Sequence, residues 1–283
     1  MRDENKRHET RPLKQCDMDK KDFKYIYGPV YSWRLGRSLG IDPISEKDKI
    51  CTFDCVYCQI GRTYKYGYKR EKYLSVNEVI DEIKSLPDFS AKNGDSSTID
   101  YITFSGSGEP TLADNMGQMI KAIRATRSEK IAVITNSSLI YREDVINDLL
   151  LTDFVIAKLD ACSQESLKTV NRPVDKINFN VIMESLKYFR NIYKGKYALQ
   201  VMFINENKNI AKEISAIAKE IKPDEVQINT PLRPCRSKPL PKGKIEEIKE
   251  CFRGMNCISV YDIEKKKVEP ISTADTLKRR GKI

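Results

Sequence analysis

The chain has 283 residues, 50 Lys and Arg against 40 Asp and Glu, a formal net charge of +10 and 40% hydrophobic residues. That length supports a core without disulfide staples, and no apolar run approaches the roughly 18 residues that cross a bilayer. The one histidine is His8, which argues against Ser-His-Asp hydrolysis, Cys-His proteolysis and histidine-ligated catalytic zinc.

Residues 1–22 carry seven basic and six acidic groups, with no apolar run of a signal peptide. A polar tail and a cytoplasmic location are expected, with ordered sequence beginning near Phe23. Short apolar runs at 38–41, 101–104, 131–134, 154–157, 199–203 and 226–228 read as six strands. Helical periodicity lies between them. Ser75-Val76-Asn77-Glu78 is a capping box that opens a helix with Val79, Ile80 and Ile83 inward. Asp114 is expected to cap a helix containing Met119, Ile120 and Ile123, and 142–150, 178–193 and 208–221 read as three more. Strands that are apolar throughout, alternating with helices, predict an α/β fold with a parallel sheet and right-handed crossovers. A partial barrel and an open doubly wound sheet both satisfy this pattern. Either gathers ligands at the carboxyl edge of its strands. Unusual residues fall there: Ser105 to Thr111, Thr135 to Ser138, and Lys158-Leu159-Asp160. Residues 233–283 read as a basic C-terminal extension, with a short helix around Ile245, Ile248 and Phe252 and a further strand at 258–261.

Of eight cysteines, Cys51, Cys55 and Cys58 form a C-x3-C-x2-C array, and the other five are scattered. Clustered thiols in a chain without a secretory signal point to metal rather than disulfides. A structural zinc wants four ligands, usually as two separated pairs, whereas three cysteines on a [4Fe–4S] cluster leave one iron open. Three structural cysteines, or a zinc knuckle completed by a distant thiol, are the alternatives.

On this array the chain resembles the radical S-adenosylmethionine (SAM) superfamily, whose mark is C-x3-C-x-aromatic-C, with Tyr57 as the aromatic. The resemblance implies a partial (β/α)6 barrel over residues 23–232, with the short tail before it and the extension after it. It implies a [4Fe–4S] cluster on Cys51, Cys55 and Cys58, with SAM as the second cofactor. Reductive cleavage of SAM to a 5′-deoxyadenosyl radical is the implied chemistry. Ser107-Gly108-Glu109-Pro110 is similar to the family's GGEP loop, with Ser for the first Gly and Gly106 before it. By that likeness Gly106, Gly108 and Pro110 shape the loop, and Glu109 accepts from the ammonium group of SAM. Thr135-Asn136-Ser137 is similar to a T-N-G turn, and Lys158 and Asp160 fall where related enzymes contact ribose or carboxylate. Asn205 and Asn229 are further adenosine contacts by position. Tyr57 stands near the adenine, or packs into the core. Upstream, Tyr27 to Ile41 and Cys58-Gln59-Ile60-Gly61-Arg62-Thr63 resemble a subgroup placed with wyosine-type tRNA-modifying radical SAM enzymes. Trp33 departs from it where a second arginine is usual, and Cys235 where proline is common.

Positive charge is concentrated in three places. Residues 61–73 hold five basic residues, one acid and four tyrosines. Residues 233–253 hold seven basic against three acidic groups, and 265–283 seven against two. Cations interleaved with rings suit RNA, with tRNA the implied substrate. The same charge suits an acidic electron donor such as ferredoxin or flavodoxin, or a merely solvated surface. A peptide substrate, including glycyl-radical activation, and a non-catalytic electron-transfer protein are the other readings. Cys235, Cys251 and Cys257 carry the spacing of a second cluster. Cys251, however, falls on the apolar face of a helix, so one cluster of four irons is expected.

Overall fold

A computed structural model describes residues 23–86, 98–263, 268 and 270–280. The polar tail 1–22 and most of the basic run 264–269 lie outside these residues. The six expected strands form and stand side by side. They are β2 (Gly36–Ile41), β5 (Tyr101–Phe104), β6 (Lys130–Thr135), β7 (Phe154–Lys158), β8 (Lys196–Met202) and β9 (Glu225–Asn229). All are parallel, from Ser38 opposite Tyr101 in β2 and β5 to Met202 opposite Asn229 in β8 and β9. The sheet has eight strands. β1 (Ile26–Ser32) adds to one edge antiparallel to β2, and β10 (Cys257–Ser259) adds to the other parallel to β9. It curls as an open half-barrel, which decides between the two architectures the periodicity left open. A separate two-stranded ribbon, β3 (Ile50–Cys51) with β4 (Lys65–Tyr66), carries the first thiol of the array.

The helices are α1 (Val76–Lys84), α2 (Met116–Arg124), α3 (Glu143–Leu149), α4 (Gln164–Val170), α5 (Phe179–Ile192), α6 (Ala211–Ile221), α7 (Lys242–Glu250) and α8 (Thr273–Arg280). The Ser75 hydroxyl accepts from Glu78 N, and the Glu78 carboxylate accepts from Ser75 N, so the capping box forms. Val79, Ile80 and Ile83 are buried beneath it. Asp114 does not cap α2. A 3-10 turn over Pro110–Leu112 intervenes, the Asp114 N–H donates to Glu71 O, and Asn115 takes the cap position without a side-chain cap bond. Five strands and α-helices were not expected from periodicity, the short ribbon strands β3 and β4 among them. β1 is interrupted by Gly28 and Pro29, α4 is only two turns long, and α8 carries three basic residues in its last turn. Ile271 N donates to Gly28 O at 2.6 Å and Gly28 N donates to Thr276 Oγ1 at 3.1 Å, which hang α8 on β1. No described helix is long and apolar enough to cross a membrane.

Candidate active site

The carboxyl edge of the strands opens into a cavity of about 260 Å³. Cys51 enters it from β3, and Cys55, Tyr57 and Cys58 from the loop that follows. That loop is held from several sides. Cys58 N donates to Cys55 O, Gly61 N to Cys58 O and Gly67 N to Cys51 O. Asp54 accepts from Thr63 N at 2.8 Å and from both terminal nitrogens of Arg236 at 2.8 and 3.0 Å. Arg236 also donates to Cys55 O, so the segment after β9 clasps the thiol loop.

Two thiols receive amide hydrogen bonds. Asn136 Nδ2 lies 3.5 Å from Cys51 Sγ, and Asn171 Nδ2 lies 3.3 Å from Cys55 Sγ. Such donors favour the thiolate. Burial acts the other way, pushing Cys51 up to about 12 and Cys55 up to about 11. Lys49, also on the cavity wall, is raised above the ordinary lysine value although its burial opposes this, because the fields of Cys58, Cys51 and Cys55 favour its charge. Burial thus favours the protonated thiol at Cys51 and Cys55, and a metal centre would displace those protons. Among the described residues no three acidic, cysteine or histidine groups close around a single ion. The thiols instead border a cavity, which suits ligands of a cluster several ångströms across. Donor set, burial and amide bonds all fit such a cluster.

Glu109 lines the same cavity, 2% exposed, and its N–H donates to Ile50 O beside Cys51. Its carboxylate accepts from Thr111 N and Oγ1 at 3.2 and 2.7 Å, from Thr135 Oγ1 at 2.6 Å and from Asn136 N at 2.7 Å. Burial raises its pKa and these four donors oppose the rise. The loops after β5 and β6 are thus pinned to one carboxylate. Gly106 and Gly108 line the same wall, and the structure shows what their missing side chains permit. A Cβ on Gly108 would stand 1.8 Å from Ile50 O, and one on Gly106 2.4 Å from Asp42 Cγ. Gly106 also takes φ +149°, which L side chains rarely adopt. The loop after β5 therefore packs directly against the backbone that leads to Cys51.

Tyr57 is locked beneath the cavity wall. Its hydroxyl donates to Asp160 Oδ2, and Lys158 Nζ lies 4.7 Å above its ring. Asp160 also accepts from Asn171 Nδ2 at 2.9 Å and from Met202 N at 2.7 Å. One buried carboxylate thereby orients the aromatic residue and the amide that reaches Cys55.

Against known proteins, the sequence profile of the radical SAM superfamily matches residues 49–218. The chain belongs to the radical SAM superfamily. It is 39% identical over 225 residues to a UPF0026 protein of Methanocaldococcus jannaschii, covering 78% of this chain and 68% of that one. A UPF0026 protein of Synechocystis is 34% identical over 213 residues, covering 75% and 77%. A protein named GTPase Obg from Brachyspira hyodysenteriae is 38% identical over 246 residues, but this chain spans only 35% of its length. Among solved structures, TYW1 with a lysine-pyruvate adduct bound superposes with a TM-score of 0.59 at 16% identity, over 77% of this chain and 74% of that one. A radical SAM methyltransferase from Sphaerobacter thermophilus gives 0.60 at 13%, over 78% and 65%. At such identities these two show the fold.

The radical SAM cavity gathers most of the residues singled out in the sequence. Cys51, Cys55, Cys58, Tyr57, Gly106, Gly108, Glu109, Thr135, Asn136, Lys158 and Asn229 all border it. Three do not. Pro110 is buried at the first position of the 3-10 turn and shapes the loop. The Asp160 carboxylate is taken up by Tyr57, Asn171 and Met202 and lies 3.6 Å from Lys158 Nζ. Asn205 is exposed and accepts from Lys208 Nζ; Asn207, two residues on, turns inward instead and donates to Asp160 O and Met202 O. Ser137 takes φ +72°, the conformation a glycine would adopt at that place in a T-N-G turn, and its hydroxyl donates to Lys158 O. Lys49, Asn171, Arg34 and Arg233 are not singled out by sequence pattern. Lys49 stands two places before Cys51, a signal that was available. Asn171 follows a helix too short to register.

The cysteines beyond the array do not gather. Cys235 Sγ donates to Ser237 O at 3.1 Å, Cys251 caps the end of α7, and Cys257 begins β10 opposite Val226, near the amino end of β9. Arg70, counted among the basic residues of 61–73, is buried. It donates to Thr111 O and Ala113 O and pairs with Asp144 and Asp148, which leaves it no part in a surface contact.

Proposed function

We propose that this radical SAM enzyme holds a [4Fe–4S] cluster through Cys51, Cys55 and Cys58 and cleaves SAM reductively to act on an RNA, with tRNA as the leading substrate. One observation carries the chemistry: three thiols and the pinned Glu109–Asn136 wall line a single cavity. A bound cluster would supply the one electron that splits the sulfonium of SAM into methionine and a 5′-deoxyadenosyl radical. Glu109 retains acceptor capacity on Oε2 for an ammonium group, and Lys158 offers a cation to a carboxylate. Tyr57 offers a ring whose tilt is fixed by Asp160.

For RNA, the support is the stretch that leaves the cavity. Tyr64 and Tyr66 are 78% and 47% exposed, and Arg62, Lys65, Lys69 and Lys72 are exposed around them. Rings that stack and cations that meet phosphate belong together in single-stranded RNA recognition. The same face suits an acidic flavodoxin or ferredoxin as the electron donor. The test is anaerobic reconstitution with dithionite and SAM. 5′-Deoxyadenosine is expected from the wild type and none from Cys55→Ala, which should also lose most of its iron. Retained product in that variant would overturn the assignment. Comparison of nucleoside digests and tryptic peptides from a deletion strain then reads the substrate; a change confined to peptides would replace RNA with protein.

A further inference from the structure

Three arginines enter the same cavity from parts of the chain far apart in sequence: Arg34 from the β1–β2 hairpin, Arg233 from the segment after β9, and Arg280 from the end of α8. Among the described residues none of the three has a carboxylate partner. The groups that act on Arg34 are Arg233, Arg280 and Tyr27. Tyr27 and Cys58 are the groups of opposite effect on Arg233, and Tyr27 alone acts on Arg280. Their neighbour Arg279 shows the contrast. It lies 3.5 Å from Asp42 and 3.7 Å from Asp275, so its charge is answered within the fold. Arg34 Nε is buried with no hydrogen-bond partner, and its guanidinium lies 5.3 Å from the Trp33 ring. Arg233 is tied to Arg280 O. Burial and mutual repulsion lower Arg34 and Arg233 to about 10.

Uncompensated guanidinium groups held together against repulsion cost stability, and such a cost is found where a ligand answers it. The geometry points to an anion subsite, formed by Arg34, Arg233 and Arg280, that receives a phosphate-bearing group of the substrate. Three fixed forks match the several oxygens and multiple negative charge of a phosphoryl group better than a lone carboxylate. The subsite lies where the β1–β2 hairpin and the segment after β9 approach α8. Glu109, Asn136 and Lys158, the groups proposed to face SAM, stand on the central strands. The inference rests on the SAM-cleaving reading of this cavity and adds to it the charge of the substrate.

The probe is inorganic pyrophosphate, titrated calorimetrically into the anaerobically reconstituted protein at low salt, with and without saturating SAM. Binding is expected in both conditions, weakened about tenfold or more in Arg34→Gln and in Arg280→Gln, as removal of one charge-assisted hydrogen bond implies. Malonate, a dicarboxylate, should bind at least about tenfold more weakly than pyrophosphate. Without anion, Arg34→Gln should melt no lower than the wild type, because it removes repulsion, and pyrophosphate should no longer raise its melting temperature. A tRNA transcript that displaces pyrophosphate would assign the phosphate to RNA; one that does not would assign it to a small phosphorylated molecule. Equal pyrophosphate affinity in wild type and both variants, or malonate binding as tight as pyrophosphate, would overturn the subsite. Exclusion of pyrophosphate by SAM would show that the arginines serve the methionine carboxylate, and would overturn it too. The underlying reading fails separately. Pyrophosphate bound through Arg34 with no 5′-deoxyadenosine formed would sink the SAM chemistry and leave the subsite standing.

Discussion

Glu109 is the residue whose meaning changes most between sequence and structure. The sequence motif presents it as a contact for SAM, and the fold makes it a cross-link as well, accepting from Thr111, Thr135 and Asn136. Glu109→Ala should therefore do two things. It should weaken SAM binding measured by calorimetry, and it should lower stability by about 1–3 kcal/mol, since buried donors lose their acceptor. An unchanged melting curve would show that the cross-link carries no weight. Gly108 makes a sharper case. With Ile50 O at 1.8 Å from any Cβ, Gly108→Ala must displace either the loop after β5 or the strand that presents Cys51. Destabilisation of about 1–3 kcal/mol is expected, as for other overpacked sites. Iron content after reconstitution should fall with it. The same substitution at Gly243, where a Cβ meets nothing within 4 Å, is the control and should retain its iron.

At the scale of elements, the thiol loop has little secondary structure of its own and depends on what holds it. Arg236 supplies the longest-range restraint, binding Asp54 from 182 and Cys55 O from 181 residues away. Arg236→Ala should leave the barrel folded and speed the release of iron to a chelator several-fold, while Arg236→Lys, a point charge without the fork, should fall between. Iron release as slow as in the wild type would show that the ribbon β3–β4 holds the loop alone. Helix α1 was legible down to its first residue, because a capping box is a local contract between Ser75 and Glu78 that needs no tertiary partner. Ser75→Ala should cost about 1 kcal/mol and lower the melting temperature by roughly 2–4 °C, without touching iron or SAM binding. Helix α2 starts elsewhere than its sequence suggests, for the converse reason. Asp114 is a good cap by type, but the chain is already committed to a 3-10 turn and to a bond with Glu71 O.

For the whole molecule, the half-barrel brings segments from residue 34 to residue 280 to one cavity, and that is where the chemistry is proposed to lie. One [4Fe–4S] cluster implies about four irons per chain. With Cys235 bonded to Ser237 O and Cys257 paired into β10 opposite Val226, the double variant Cys235→Ala/Cys257→Ala should bind as much iron as the wild type. Iron near twice that content, halved in the variant, would reveal a second cluster. If RNA is the substrate, Lys65→Gln/Lys69→Gln should flatten the slope of log affinity against log salt by roughly 2, one for each phosphate that is no longer neutralised. Arg70 does not belong in that set, because its guanidinium is buried among Thr111, Ala113, Asp144 and Asp148.

What the sequence determined by itself is whatever depends on short range. The six strands are apolar throughout, the helices carry their 3-4 spacing, and the thiol array, the Glu109 loop and the Thr135-Asn136 turn are contiguous strings placed at strand ends. Local pattern suffices for these because backbone periodicity and chain order bring such residues to the same sheet edge. The tertiary structure decided what depends on closure. It set an open half-barrel against a flat sheet, put the carboxylate of Asp160 under Tyr57 rather than in the cavity, turned Asn207 inward and Asn205 outward, and buried Arg70. It also brought Arg34, Arg233 and Arg280 together. No periodicity encodes that meeting, because a guanidinium reads as surface charge in sequence and becomes a buried cation only when curling of the sheet carries distant segments over the same cavity.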